Sequence, residues 1–328
     1  MNALWISAKE EEKIESEIRR YLSYLQYKGI LKPSAHIINA GGKRIRPTLL
    51  VLAYKAVGGK NIDSVMPFAA AVEFIHNWGL VHDDIIDESE TRRGVPAVHV
   101  KWDRKVAILA GNALNNLPYF MLKDVNIDQE ISNQAIKVLA ESSLELIDGQ
   151  AMDIEFEKRT DVSENEYFEM VKKKTGSLIR CAVKIGGMLG TRDEVRIRAL
   201  EEYGELVGIA FSIQDDLLDV VGDKEKLGKD IGRDIKQGKK TLVVIHALAN
   251  AQSDDADRLM DILGDKDCSV QDVQEAISIL SKTGSIEYAR RLVRQLTAKA
   301  KSILKVFSNT EYESVLSDVA DFVANREL

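Results

Sequence analysis

The chain is predicted to be all-α, and three observations predict it. Only five prolines occur in 328 residues and none follows Pro118, so little in the chain breaks a helix. Apolar residues recur with a 3.6-residue period over long stretches. Regularly spaced Val/Thr-rich segments joined by hairpin turns, the mark of a sheet protein, are missing. Apolar residues make up 45% of the chain, enough for a substantial core. Neither a low-complexity segment nor a shift in composition marks a linker, so residues 1–328 are expected to form a single helical bundle.

The breaks order the elements. A polar-faced helix is expected over 8–27, and Pro33 and Gly41-Gly42 bracket a short connection. Pro47 opens a helix that ends near Gly58-Gly59. The next starts around Pro67 and runs through an acidic cluster at Asp83. Residues 88–98 are polar, contain Gly94 and Pro96, and are expected to be a loop. Helices then follow over 103–122, 128–157, 164–189, 194–220, 239–250 and 255–263, with two or three more before the end.

A net charge of −7 and a pI near 5.5 count against a nucleic-acid partner. Cys181 and Cys268 have no metal-ligand spacing and suit a reducing compartment. The stretch from Trp5 to Lys13 lacks the apolar centre of a signal peptide, and no run of about 18 apolar residues occurs. A cytoplasmic location without a membrane span is expected.

Two acidic clusters share one spacing: Asp83-Asp84-x-x-Asp87 and Asp215-Asp216-x-x-Asp219. Each is embedded in an apolar run. On a helix, the first and last carboxylates of each cluster share a face, about 6 Å apart. Like charges so placed oppose the helix, and burial adds a desolvation cost. Divalent cations would remove both objections, and two such clusters facing each other would hold magnesium ions and a polyphosphate. A solvated pair such as Asp254-Asp255 is the bland alternative, but its surroundings are polar.

Gly41-Gly-Lys-Arg-Ile-Arg-Pro47 places Lys43 and Arg46 where they could grip a diphosphate, Arg46 in bidentate fashion. The Lys-Ser/Thr ending of a nucleotide phosphate loop is absent. Read alone, the segment could equally be an exposed basic turn. Arg92-Arg93 follows the first cluster and could fold round the same anion, or merely neutralise Glu88 and Glu90. His76 and His82 are six positions apart and do not share a face as zinc-protease histidines do, so no zinc site is predicted. Lys172-Lys-Lys-Thr-Gly176 and the glycine-punctuated run Gly228–Lys240 are two further basic segments.

Taken together, these segments resemble the trans-prenyltransferase, or polyprenyl diphosphate synthase, family over nearly the whole chain. The matches are Gly41 to Pro47, Asp83 to Asp87 with Arg92-Arg93-Gly94, Gly149-Gln150 with Asp153, Lys174-Thr175-Gly176, and Asp215 to Asp219. The resemblance implies an isoprenoid-synthase-type helical bundle around a central cavity, acting as a homodimer. It implies head-to-tail joining of isopentenyl diphosphate to an allylic diphosphate (dimethylallyl, geranyl or farnesyl), with three Mg²⁺ ions. Carried over by motif, Asp83, Asp87 and Asp215 bind magnesium, with Asp84 and Asp219 in support. Arg92, Lys174 and Lys229 contact the allylic diphosphate. Lys43, Arg46, His76 and Arg93 form the isopentenyl diphosphate site. Thr175 helps to stabilise the allylic cation, and released diphosphate takes the proton.

One departure stands out. The family usually has Phe-Gln-Ile before its second acidic motif, where this chain reads Phe211-Ser212-Ile213-Gln214. Gln214 is two positions on from Ser212, about 200° round a helix, and cannot take over its place. Product length is read from Trp78, five residues before Asp83, with Gly79 beside it and Phe74 and Ile75 as a further layer. An aromatic there resembles short-chain enzymes, and similarity to archaeal-type members leads to geranylgeranyl diphosphate, C20. Farnesyl diphosphate, C15, is the runner-up. A terpene cyclase, a noncatalytic partner subunit and an adaptor for anionic partners are the rival classes. A cyclase has no need of the Lys43/Arg46/Arg93 site, and a noncatalytic subunit is expected to have lost an acid cluster.

Overall fold

The computed structural model describes residues 5–123, 125–222, 231–307 and 310–325, and these are mostly helical. In chain order the helices are α1 (Ala8–Leu22), α2 (Lys28–Asn39), α3 (Ile45–Ala56), α4 (Met66–Ile86), α5 (Val98–Lys101), α6 (Arg104–Leu122), α7 (Gln129–Glu157) and α8 (Glu164–Val171). They continue as α9 (Ser177–Gly190), α10 (Glu194–Val221), α11 (Arg233–Gln237), α12 (Leu242–Asn250), α13 (Ser253–Ile262), α14 (Val270–Lys282), α15 (Ser285–Ile303) and α16 (Glu311–Ala324). Among the described residues the strands are β1 (Thr91–Arg92) and β2 (Val95–Pro96), an antiparallel pair. None of the described helices is long and apolar enough to cross a membrane.

Five local expectations change. The first helix stops at Leu22, and Pro33 lies inside α2 instead of a connection. Burial of Pro33, Ser34, Ile37 and Ile38 on one face of α2 outweighs the hydrogen bond that proline removes. The loop at 88–98 contains a tight hairpin: Arg93 and Gly94 both have positive φ, 54° and 76°, as a type I′ turn requires. The helix expected over 164–189 is interrupted by a π turn at Lys172–Gly176. The basic run before Leu242 includes the short helix α11, and Lys239, Lys240 and Thr241 are buried ahead of α12.

The residues form two compact units made of interleaved stretches. The first comprises Met1–Ser143, Leu178–Glu201 and Leu304–Leu316, and the second Leu144–Ser177, Glu202–Ile303 and Ser317–Leu328. In the first, α4 packs chiefly against α6, then α3 and α1. Residues 68–72 of α4 are at most 1% exposed, and the alanines at 69–71 allow that close packing. Helix α3 is buried from Pro47 to Tyr54, because α9 meets it through glycines. A Cβ at Gly186 would lie 2.3 Å from the Leu50 carbonyl oxygen, and one at Gly190 2.8 Å from that of Tyr54. In the second unit α12 packs on α15, and α13 on α14. Capping boxes at Ser7/Glu10, Ser163/Glu166 and Ser269/Asp272 start three helices, each cap worth about 1 kcal/mol.

Candidate active site

In the first unit, the acidic cluster occupies the end of α4. Asp83 is in its last turn and Asp87 is its C-cap, the Asp87 N–H donating to the Asp83 carbonyl at 2.8 Å. Negative charge at a helix C-terminus is unfavourable, because the macrodipole is negative there too. The placement therefore lowers stability, as a cation-binding role would tolerate. Asp84 turns inward and is 1% exposed. Arg92 closes on it, donating from Nε to Oδ1 at 2.8 Å and from NH2 to the same oxygen, while its NH2 sits 3.8 Å from Asp83. Burial pushes the Asp84 carboxyl above its ordinary value, an effect that Arg92 only partly offsets. Its Oδ2 is buried and makes no hydrogen bond within the described residues.

The basic loop is built around a residue that motif reading leaves unassigned, Arg44. Its φ of 47° is left-handed, so the chain enters α3 at a sharp angle. Its guanidinium reaches Glu15 at 2.7 Å, the buried Glu73 at 2.8 Å and the Ile38 carbonyl at 3.0 Å. Glu73 in turn accepts from Asn77 Nδ2 at 3.0 Å, and Asn77 Oδ1 lies 3.4 Å from Arg93 NH1. Arg93 also donates to the carbonyls of Ile37 and Gly41. Gly42 has a φ of 139°, which side chains rarely adopt, and its backbone lies so close to Arg93 that a Cβ would stand 2.9 Å from the guanidinium carbon. Arg46 NH1 approaches His76 Nε2 at 3.4 Å. Burial, then the cations of Arg46, Arg93 and Arg92, hold the His76 imidazole well below its ordinary value, so it is neutral. The structure thus brings Arg46, His76 and Arg93 into one polar neighbourhood and Arg92 onto the first acidic cluster; Lys43 is exposed in the same loop.

Trp78 is 6% exposed, and its ring meets His82 edge-on at 5.9 Å. His82 is pressed against α6, where a Cβ at Gly111 would collide with its Nε2 at 2.4 Å. Phe74 and Ile75, the further layer, are fully buried.

In the second unit, Asp215, Asp216 and Asp219 lie in the last two turns of α10. Asp216 accepts a hydrogen bond from Tyr167 Oη at 2.7 Å. Burial, with Asp215 and Asp153 nearby, pushes its carboxyl above the ordinary value. Asp219 Oδ2 accepts from the backbone N–H of Asp234 at 3.0 Å. Lys174 reaches Asp153 at 2.7 Å, and the buried Lys239 reaches the same oxygen at 2.9 Å and Glu157 at 2.6 Å. Burial works against the ionised Asp153, yet these two ammonium groups hold its carboxyl below the ordinary value. Lys229 lies outside the described residues. Tyr167, Glu157 and Asp234 were not singled out from sequence, since a lone tyrosine or acid has no spacing signal; only the fold aims them at the motifs.

Asp83, Asp87, Asp215 and Asp219 offer the oxygen donors that magnesium prefers. Among the described residues no group of three or more acidic, histidine or cysteine side chains is assembled as a metal site. Carboxylate oxygens suit Mg²⁺, which keeps several waters and is bound by one or two carboxylates together with substrate phosphates.

The family model described as polyprenyl synthetase matches residues 27–280. The short chain isoprenyl diphosphate synthase of Methanothermobacter thermautotrophicus is 43% identical over 100% of this chain and 99% of its own. The geranylfarnesyl diphosphate synthase of Natronomonas pharaonis is 35% identical over 97% of this chain and 96% of its own. The crystal structure of geranylgeranyl pyrophosphate synthetase from Pyrococcus horikoshii superposes with a TM-score of 0.91 and 39% identity, covering 97% of each chain.

Proposed function

Because this chain belongs to the polyprenyl synthetase family, we propose that it is a short-chain trans-isoprenyl diphosphate synthase whose main product is geranylgeranyl diphosphate. It joins isopentenyl diphosphate to dimethylallyl, geranyl and farnesyl diphosphates in turn. One observation carries the reading: two complete aspartate clusters accompany a separate basic site at Lys43, Arg46 and Arg93. A terpene cyclase would need the first feature and not the second. Residues 1–328 are read as one catalytic domain, since motifs of the one family fall in both units. The cytoplasmic location expected from the sequence belongs to this reading.

Asp83, Asp87 and Asp215 would hold three magnesium ions. When bound, these ions supply electrostatic stabilisation of the departing diphosphate. Lys174, Lys229 and Arg92 neutralise the same diphosphate as its C1–O bond breaks and the electron pair leaves with oxygen. Lys43, Arg46 and Arg93 hold the isopentenyl diphosphate so that its alkene faces the allylic C1. Neutral His76 beside Arg46 adds a hydrogen-bonding ring without adding charge. The new carbon–carbon bond leaves a cation, and loss of a proton to the released diphosphate restores an alkene. Thr175 and neighbouring main-chain carbonyls stabilise positive charge in between.

Chromatography of products made from labelled isopentenyl diphosphate, with and without chelator, tests this. A C20 product that disappears with chelator is expected; no extended product at all would refute the reading. The same chromatogram separates C20 from C15 and from the C25 product in the name of the Natronomonas relative. Replacing Trp78 by Ala is expected to lengthen the products, because the indole closes the path of the growing tail. Unchanged products from a folded Trp78→Ala enzyme would move the length limit elsewhere.

We also propose a homodimer. Ile108, Leu109 and Phe120 of α6 are 41%, 54% and 46% exposed, large apolar side chains that a second copy could cover. Sedimentation equilibrium should give twice 36.6 kDa; a single species at 36.6 kDa would exclude the dimer.

A further inference from the structure

A π turn is rare in a helix that could run straight, because the i→i+5 bonding adds a residue that packing must accommodate. Here the turn is Lys172–Gly176, between α8 and α9. Two helices of the second unit touch its backbone, each through a glycine. A Cβ at Gly149 of α7 would lie 2.3 Å from the Lys174 amide nitrogen, 2.7 Å from its Cα and 2.8 Å from its Cβ. A Cβ at Gly208 of α10 would lie 2.6 Å from the Gly176 Cα. No side-chain motion relieves either clash, since both are with the turn's own backbone.

The same faces carry polar groups that meet the site. Asp153, one turn after Gly149 on α7, takes the Lys174 ammonium at 2.7 Å. On α10, the face that starts at Gly208 continues through Ser212 to Asp215 and Asp219. Ser177, which begins α9 directly after the turn, is fully buried and its Oγ makes no hydrogen bond within the described residues.

We infer that Gly149 and Gly208 are positioning residues: by admitting α7 and α10 to van der Waals contact with the turn, they hold the extra residue in place and so aim Lys174 and Thr175. The inference rests on the proposed role of those two side chains at the allylic diphosphate. Alanine is the better helix former, so propensity alone would favour it at both positions. A loss on substitution therefore reports the contact.

The experiment compares wild type with Gly149→Ala, Gly208→Ala and a chain lacking Lys173. Removing one residue turns the five-residue π turn into regular helix, a register change of about 100°. Lys173 is chosen because its ammonium faces the exposed carboxylates of Asp148 and Glu169. Thermal melts, kcat, KM for each substrate, and calorimetric affinity for an unreactive allylic diphosphate analogue are measured. The deletion should keep a cooperative melt yet lower kcat about 100-fold, the scale of a misplacement near 1 Å. Affinity for the allylic analogue should fall, while KM for isopentenyl diphosphate stays at the wild-type value. The alanine variants should show the same split. A folded deletion chain with wild-type kcat and analogue affinity overturns the inference, and so do folded alanine variants with both unchanged. Should alanine prevent folding, the deletion decides. Wild type that makes no extended product would refute the proposed function instead, and analogue affinity would then test the inference alone.

Discussion

Asp83→Ala and Asp215→Ala are each expected to lower kcat by about 10³-fold while leaving the fold as stable as wild type or more so. The rate effect follows from the leaving group. An allylic diphosphate ionises only if negative charge growing on the departing oxygens is met by cations, and these carboxylates would hold the cations there. The stability effect has the opposite sign. Asp83 lies in the last turn of α4, where the helix dipole opposes a carboxylate even with Arg92 NH2 3.8 Å away, and Asp215 in α10 is repelled by the neighbouring Asp216. A residue kept for structure would lose stability on truncation, whereas one kept for metal should lose only rate. Thermal melts beside steady-state kinetics separate the two. Wild-type turnover in either folded variant would remove that carboxylate from the mechanism.

Replacing Arg92 by Leu should be the most damaging single change to stability near the site. Asp84 is 1% exposed and Arg92 donates to it twice. Breaking a buried ion pair by removing one partner typically costs about 3–5 kcal/mol, because the other charge is left desolvated. The side chain of Arg92 is itself 17% exposed, which favours the lower end of that range. Denaturant titration of Arg92→Leu should show the loss, and Asp84→Asn in the same chain should recover much of it by removing the stranded charge. Catalysis should not recover, since Arg92 is also assigned to the allylic diphosphate. An Arg92→Leu chain as stable as wild type would mean that Asp84 finds another partner or sheds its charge at no cost.

Motif reading succeeds where function requires residue types at short, helical spacings. Asp83 with Asp87, Asp215 with Asp219 and the Gly41–Pro47 run could be found without a structure, because each is contiguous and each contradicts its surroundings: acids in apolar runs, cations after glycines. Helix existence was legible for the same reason, periodicity being local. The hairpin at Thr91–Pro96 was not, since two-residue strands leave no alternating pattern to read. Pro33 pointed to a break that burial of its helix face overrode.

The helical class, the family and the charged motifs are therefore legible in the chain alone. Which member of each motif turns inward follows from packing: Asp84 toward Arg92, Arg44 toward Glu73, Asp216 toward Tyr167. The fold alone shows that Lys172–Gly176 is a π turn pressed between Gly149 and Gly208. The reason is the range of the forces involved. Helix bonding and charge spacing act over a few residues and leave a trace in the chain, whereas desolvation and steric exclusion join positions far apart in sequence and exist only once the backbone brings them into contact.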